Sequence, residues 1–136
     1  MKISTNSRYA LRFLARIAQK NGERVTTSSV AEAEGISEKL LERIAAKLAS
    51  EGIVKSVKGA RGGYVLGREA SAITVSDILH MMERPYLPHH CVENPGQCCK
   101  MHEDCNMLCV WQRIDEAIRS VTDNVTVADL IRKDSF

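Results

Sequence analysis

Apolar residues recur every three or four positions in the first half of the chain, which is the spacing of amphipathic helices. One such segment runs from about Ser7 to Lys20. A shorter one starts at the Thr27-Ser28 pair, which offers an N-cap, and stops at Gly35. The next covers Glu38–Ser50, with Ser37 as its cap. Two helices joined by a short turn with a glycine are typical of a helix-turn-helix, a weak pattern alone because other small helical proteins share it.

A short β-hairpin is predicted directly after the second of these paired helices. Ile53–Val57 is predicted as a strand, Lys58–Gly63 as a glycine-rich turn and Tyr64–Leu66 as the return strand. A helix-turn-helix followed by such a hairpin predicts a winged helix, and so a mostly α fold with a small β-hairpin wing. Lys58 and Arg61 lie between glycines at the predicted tip, where no bulky neighbour keeps the backbone away from DNA.

The second half of the chain is divided by a stretch without periodicity. Thr74 to Asp77 has the pattern of a capping box, which predicts a helix, and residues 84–103 then show no helical or strand period. A long helix is predicted from about Asp104 to Asp123, and Thr126 with Asp129 caps a short final helix. The apolar stripe of the long helix suits either packing on its own domain or a dimer interface, and the pattern alone does not separate the two.

Composition narrows the class of protein, and the distribution of charge indicates a partner. Hydrophobic residues make up 44% and charged residues 26% of the chain, as in globular proteins, and no apolar run reaches the roughly 18 residues of a membrane helix. The first residues show no signal-peptide pattern, so a cytoplasmic location without membrane association is expected. Residues 1–80 carry 13 basic against 8 acidic side chains, whereas residues 81–136 carry 6 against 9. The asymmetry suggests a polyanion as the partner of the N-terminal part, and the predicted winged helix makes double-stranded DNA the expected one.

The helix-turn-helix prediction assigns candidate DNA contacts. Residues near the N-terminus of its second helix face base edges in the major groove, whereas phosphate contacts position the protein without specifying sequence. An arginine on a glycine-flanked wing tip suits insertion into a minor groove. The predicted base-facing residues are Ser37, Lys39, Glu42 and Arg43, the predicted phosphate contacts are Arg8, Thr27, Ser28 and Lys55, and the wing contacts are Lys58 and Arg61.

All five cysteines lie between Cys91 and Cys109. A disulfide framework would be spread along the chain, whereas clustered thiolates suit an iron–sulfur cluster, zinc or copper(I). The paired CxxC motifs of a zinc ribbon are missing, and the polar, proline-rich surroundings disfavour thiols that merely fill a core. A nucleophile at Cys91, beside His89 and His90, would have no oxyanion site that the sequence can supply, so the chain is not expected to be an enzyme.

Motifs along nearly the whole chain carry a family resemblance. They are the opening Met1-Lys2-Ile3-Ser4 with Arg8-Tyr9-Ala10, then Gly35-Ile36-Ser37 and Leu41-Glu42, the wing Val57-Lys58-Gly59 with Gly62-Gly63-Tyr64 and Leu66, and finally Cys91, Cys99 and Cys105 with Trp111 six residues after the last of these. In these motifs the chain resembles the IscR/NsrR/CymR (Rrf2) family of bacterial winged-helix regulators. The wing and the cysteine triplet together make the resemblance specific.

The resemblance implies a homodimer that is built on the long C-terminal helix and binds a roughly palindromic operator. It also implies an iron–sulfur cluster, [2Fe–2S] rather than [4Fe–4S], with Cys91, Cys99 and Cys105 in the positions of three ligands. The fourth ligand is open. Leu108 stands where IscR-type members place a histidine, and Arg8 stands where NsrR-type members use an aspartate. The local candidates are Cys109, His102 and Cys98, and Cys98 also competes with Cys99 for the place of the middle ligand.

Together these features predict a transcription regulator whose operator binding is switched by an iron–sulfur cluster that senses iron–sulfur status, iron, nitric oxide or redox state. Two alternatives stand beside it: a cluster-free regulator of the same fold that uses thiol oxidation or a protein partner, and a structural zinc protein. The predicted organisation is a winged helix-turn-helix domain over residues 1–83, a cysteine-rich cluster-binding loop over 84–104, and a dimerisation helix with a short C-terminal helix over 105–136.

Overall fold

The computed structural model of the protein describes residues 3–83, 92 and 105–132. Its architecture is mostly helical with one two-stranded antiparallel hairpin, which confirms the predicted fold class. The elements, in chain order, are α1 (Thr5–Gln19), α2 (Thr27–Glu34), α3 (Glu38–Ser50), β1 (Val54–Val57), β2 (Gly63–Leu66), a short 3-10 helix (Ala70–Ala72), α4 (Val75–Met82), α5 (Leu108–Thr122) and α6 (Val127–Leu130).

The first two helices begin at other residues than the sequence predicts. Helix α1 starts after Ser4, whose hydroxyl accepts a hydrogen bond from the Ser7 N–H at 3.2 Å. Helix α2 starts after Thr26, which caps it by accepting from the Ser29 N–H at 3.1 Å. The prediction of Thr27-Ser28 as the cap was wrong by one residue because Val25 pairs with the hairpin in an extended conformation, so the chain turns into the helix immediately after it.

The core lies where α1, α3, α4 and the hairpin meet. Its largest fully buried apolar side chains come from α1, α3, β1, α4, α6 and the residue after the 3-10 helix, and they are Phe13, Leu14, Leu41, Leu48, Val54, Ile73, Ile78 and Val127. Burial of such a side chain contributes roughly 1.5–3 kcal/mol. The Phe13 ring packs edge-on against Tyr64 of β2, with ring centroids 5.7 Å apart, so α1 and the hairpin are held in one unit.

The hairpin is attached to the connection between α1 and α2. Its register pairs Val54 with Leu66 and Val57 with Gly63. Val25 pairs with Tyr64 on the edge of β2 that faces away from β1. Its N–H donates to the Tyr64 carbonyl at 3.0 Å, and its carbonyl accepts from the Tyr64 N–H at 2.8 Å. A Cβ on Gly63 would lie 2.8 Å from the Val25 carbonyl oxygen, so this approach requires glycine.

The chain returns to the winged-helix core at its end. The Val127 N–H donates to the Ile73 carbonyl at 2.9 Å, Thr126 bridges to Thr74, and the Val127 side chain is fully buried. The capping box predicted at Thr74 is present, and Thr126 and Asp129, predicted to cap the last helix, form a capping box as well. Helix α6 therefore packs in the core of the N-terminal region, although it follows the long helix in sequence. No helix in the described ranges is long and apolar enough to cross a membrane.

Candidate nucleic-acid interface and cysteine site

Helix α3 separates a buried face from an exposed one. Leu41, Ile44, Ala45 and Leu48 are buried, whereas the predicted base-facing residues are all exposed, namely Ser37, Lys39, Glu42 and Arg43. Ser37 is the N-cap residue of α3, as predicted, but its hydroxyl accepts no capping hydrogen bond. The exposed face therefore offers hydrogen-bond donors and acceptors in the first two turns, the part of a recognition helix that meets base edges.

The N-terminus of α2 supplies a second polar surface. Thr27 is half-buried and Ser28 is exposed, with the Ser28 and Thr26 hydroxyl oxygens 3.0 Å apart. The first N–H groups of a helix have no partner within that helix, and its dipole favours an anion there. The positions predicted as phosphate contacts thus lie at the end of α2 that suits a phosphate.

The wing presents three exposed cations. Lys55 lies on β1, and Lys58 and Arg61 lie at the tip. The tip is a tight turn in which the Gly62 N–H donates to the Gly59 carbonyl at 2.8 Å, and Gly59 has a φ of +120°, which strains any other residue. Arg24 reaches the same tip from outside the hairpin, since its Nη1 donates to the Arg61 carbonyl oxygen at 3.2 Å.

The basic side chains of α1 do not all face the same partner. Arg8, the predicted phosphate contact, is exposed in the first turns of the helix. Arg12 and Arg16 form ion pairs with Glu34 at the end of α2, at 3.6 Å and 2.6 Å. Exposed pairs of this kind contribute at most about 1 kcal/mol, but they orient the two side chains toward α2. Among these three arginines, Arg8 alone lacks such a pair in the described structure.

Glu83, the residue after α4, is joined to the start of α1. Its Oε1 accepts from the Ser4 N–H and from the Ser7 hydroxyl, both at 2.6 Å. Burial raises the pKa of Glu83, but the hydrogen bonds from Ser7 and Ser4 outweigh it and leave the pKa below the usual value of 4.5. The contact ties the last described residue before the cysteine-rich segment to the helix that carries Arg8.

We expect a Glu83→Gln variant to lose about 1 kcal/mol of unfolding free energy at pH 7, because an amide oxygen accepts these bonds more weakly than a carboxylate. A pKa that is lowered in the folded state stabilises the fold above the unfolded-state value, and the contribution is lost as pH falls through the lowered pKa. Urea unfolding from pH 7 downward should show the two proteins converging below about pH 4.5. A Glu69→Gln control, at an exposed position, should show no such convergence, and a difference independent of pH would contradict the assignment.

Two of the five cysteines lie in the described part of the chain. Cys105 is half-buried just before α5, and its carbonyl accepts from the Leu108 N–H at 3.1 Å. Cys109 is exposed on the first turn of α5, and its thiol donates to the Asn106 carbonyl at 3.1 Å. The predicted ligands Cys91 and Cys99 and the candidates Cys98 and His102 lie outside the described residues, and residues 3–83, 92 and 105–132 hold no cluster of three metal-ligating side chains.

Helix α5 has two apolar faces side by side. One packs toward its own domain, where half-buried Ile118 contacts Leu79 of α4. The other consists of exposed side chains, 37% to 60% accessible, and its members are Met107, Val110, Ile114 and Val121. We call these four residues the α5 seam; their spacing of three, four and seven is that of a coiled-coil interface. Within α5 only Asp115 is buried, so residues 3–83, 92 and 105–132 leave the α5 seam open to solvent.

Comparison with known proteins identifies the chain's relatives. The sequence profile of the family described as "Rrf2: Iron-dependent Transcriptional regulator" matches residues 3–133. The chain belongs to the Rrf2 family. The Rrf2 regulator CymR of Bacillus subtilis is 40% identical over 96% of this chain and 89% of its own length, and IscR of Yersinia enterocolitica is 30% identical over 96% and 79%.

Solved Rrf2 structures agree with the fold. The structure titled as CymR, the global cysteine regulator of B. subtilis, superposes with a TM-score of 0.77 at 35% identity and covers 96% of both chains. The structure titled as the oxidized form of Staphylococcus aureus CymR has a TM-score of 0.76 at 32% identity and covers 97% of both. The chain is therefore a DNA-binding transcription regulator of winged-helix type and not an enzyme.

Sequence reasoning missed two features of this Rrf2 regulator. Arg24 contacts the wing tip from the connection before α2, and no periodic pattern marks a single arginine in a loop. Glu83 contacts Ser7 across 76 positions of sequence, a separation that only the fold brings together.

Proposed function

We propose that this chain is a homodimeric Rrf2 regulator whose operator binding is switched by an iron–sulfur cluster bound by Cys91, Cys99 and Cys105. The observation that carries the proposal is the cysteine set itself: five thiols within residues 91–109, of which Cys105 lies at the entrance to the helix with the exposed apolar seam. The family description as iron-dependent supports it. A [2Fe–2S] cluster is the form we propose.

The proposed DNA contacts follow from the exposed surfaces. Helix α3 enters the major groove with Glu42 and Arg43 toward the base edges, where arginine pairs with guanine and a carboxylate accepts from the amine of cytosine. Lys39 and Ser37 extend this surface, and Arg61 enters the minor groove from the wing, with Lys58 beside it. The remaining contacts go to phosphates, and they are made by Arg8, Thr27, Ser28 and Lys55.

The proposed dimer forms through the α5 seam. The seam of one chain packs against the same seam of a second chain, because a two-fold interface is self-complementary. The coiled-coil spacing of the seam suits packing against an identical helix. Such a dimer presents two winged helices related by a two-fold axis. The operator is therefore proposed to be a roughly palindromic duplex, in which symmetric half-sites match symmetric domains.

The described thiols fit a soft metal centre. The Cys105 thiol is half-buried and has no hydrogen bond to any described residue, so it is available as a ligand, and thiolates are the donors that iron–sulfur clusters use. Cys109, one turn along α5, is an exposed candidate for the fourth ligand, with His102 and Cys98 as the others. When bound, the cluster supplies iron–thiolate bonds that respond to iron, nitric oxide or oxidants.

The contacts at the two ends of the cysteine-rich segment support a proposed route by which cluster binding would affect the DNA-binding surface. At one end Glu83 is bonded to Ser4 and Ser7 of α1, the helix that carries Arg8. At the other end Cys105 leads into α5, which packs on α4 through Ile118 and Leu79. We propose that drawing Cys91 and Cys99 toward Cys105 changes the constraint on both ends, and with it the placement of α1 and α4.

The test is anaerobic purification followed by a visible spectrum and assays for iron, acid-labile sulfide and zinc. We expect a coloured protein with iron and sulfide in equal amounts, and a change in its affinity for a selected DNA duplex when the cluster is removed. A colourless protein that holds zinc, or equal affinity of the loaded and stripped forms, would overturn the proposal. Separate measurements on the same samples thus test the cluster and the switch.

A cluster-free thiol switch is the second candidate, and the similarity to CymR favours it. One CymR structure is titled as the global cysteine regulator, and the other is of an oxidized form. The exposed Cys109 thiol is accessible to oxidants, as such a switch requires. This candidate predicts no sulfide and an affinity for DNA that mild oxidation changes and a reducing agent restores.

A further inference from the structure

Arg24 and its neighbour form an outer edge of the wing. Val25 exchanges two backbone hydrogen bonds with Tyr64 of β2, at 3.0 Å and 2.8 Å. Immediately before it, Arg24 extends along the hairpin, and its Nη1 donates to the carbonyl oxygen of Arg61 at 3.2 Å. The connection between α1 and α2 therefore contacts the start of β2 through backbone and the adjoining wing tip through one side chain.

The sequence of the wing accommodates this edge. A Cβ on Gly63 would meet the Val25 carbonyl oxygen at 2.8 Å and the Arg24 Cβ at 3.4 Å. Glycine at this position therefore lets the connection approach closely enough for Arg24 to reach the tip. Across residues 58–62, the Arg24 guanidinium makes the one side-chain hydrogen bond to the tip that the described structure contains.

The surroundings of Arg24 favour a positioning role over a direct phosphate contact. A cleft of about 750 Å³ lies between the connection and the wing, lined by Gly22, Glu23, Arg24, Thr26, Arg61 and Gly62. Glu23, an exposed residue, also lines this cleft, and its negative charge disfavours the approach of a phosphate. The guanidinium, in turn, already donates to a backbone carbonyl, so its geometry is fixed by the wing.

We infer that Arg24 is a positioning residue for DNA binding, which holds the wing tip so that the Arg61 side chain is oriented for the minor groove before the duplex arrives. A tip that is ordered in the free protein loses less conformational freedom on binding, and this preserves affinity. The inference rests on the proposed wing contact of Arg61. Arg24 then makes no contact with DNA itself and affects DNA binding through Arg61.

The experiment is a double-mutant cycle on the full-length protein with a labelled duplex that the wild-type protein selects from a random-sequence pool. Arg24→Ala should weaken binding about tenfold, as should Arg61→Ala, and the double variant should bind no more than about twofold more weakly than Arg61→Ala alone. Arg24→Gln, which keeps a donor without the charge, should retain most of the wild-type affinity. For both Arg24 variants, thermal melting should match the wild-type protein.

Arg68→Ala is the matched control, because Arg68 is also exposed and donates to a backbone carbonyl, that of Glu51, at 3.1 Å. It removes the same charge and should leave affinity within about twofold of wild type. The inference is overturned if the losses of affinity in Arg24→Ala and Arg61→Ala are additive and Arg24→Gln does not restore binding. In that case the salt dependence of the affinity of Arg24→Ala should fall by about one phosphate contact, which would show that Arg24 contacts DNA directly. If Arg61→Ala alone has no effect, the proposed wing contact fails, and the inference fails with it.

Discussion

An Ile114→Glu variant is expected to be monomeric and to lose high-affinity binding to its operator duplex. Ile114 lies in the middle of the α5 seam, where its side chain remains 37% exposed in the single chain. In a two-fold dimer, two introduced carboxylates would face each other and lose their hydration, a cost of several kcal/mol per ion. The half-sites would then be bound by separate winged helices, without the gain in effective concentration that a dimer supplies.

Light scattering on a sizing column measures the oligomeric state, and fluorescence anisotropy measures duplex binding. Gln112→Glu is the matched control, since it introduces the same charge on the exposed polar side of the same helix. It should remain dimeric and bind DNA as the wild-type protein does. A dimeric Ile114→Glu protein would show that the seam is not the interface and that α5 is covered in another way.

A Cys105→Ala variant should lose almost all bound iron and sulfide while the rest of the fold survives. Cys105 resembles the last of three cluster ligands, and removal of one thiolate leaves iron with an incomplete ligand set. The side chain is half-buried and lies outside the core, so the folded unit around Phe13 and Leu48 does not depend on it. Operator affinity should then equal that of the cluster-free wild-type protein and stop responding to iron loading.

Cys109→Ala is the control for this experiment. The Cys109 thiol is exposed and also lies at the N-terminal end of α5, but Cys109 is not one of the three assigned ligands. It should keep a substantial part of the cluster, as should Cys98→Ala. Iron, sulfide and the visible spectrum are measured anaerobically on all variants, and circular dichroism reports the fold. Full cluster occupancy in Cys105→Ala would refute the ligand assignment.

The order of helices and the hairpin could be predicted because each follows from local spacing. Capping boxes at Thr74 and Thr126 need only four consecutive residues, and both are present. The long helix shows the limit of such reasoning. Ile118 and Ile114 belong to one apolar stripe in the sequence, but Ile118 packs on α4 and Ile114 faces solvent. Periodicity detects an apolar face without identifying what covers it.

Some candidate site residues could be predicted from the local sequence, and others could not. Lys39, Glu42 and Arg43 could be predicted because a helix with one apolar face must expose the other, and the structure exposes them. The bond from Arg24 to Arg61 and the bond from Ser7 to Glu83 could not, since each joins segments distant in sequence through a side chain of no distinctive pattern.

The burial of Val127 in the N-terminal core has a consequence for the order in which this protein is made. On the ribosome, residues 1–83 emerge well before Val127, and until then the surface that covers its side chain is exposed to water. The DNA-binding unit is completed only after α5 has been synthesised. A growing chain therefore contains α5 before Val127 can close the winged-helix core, so its N-terminal unit is less stable until the end of synthesis.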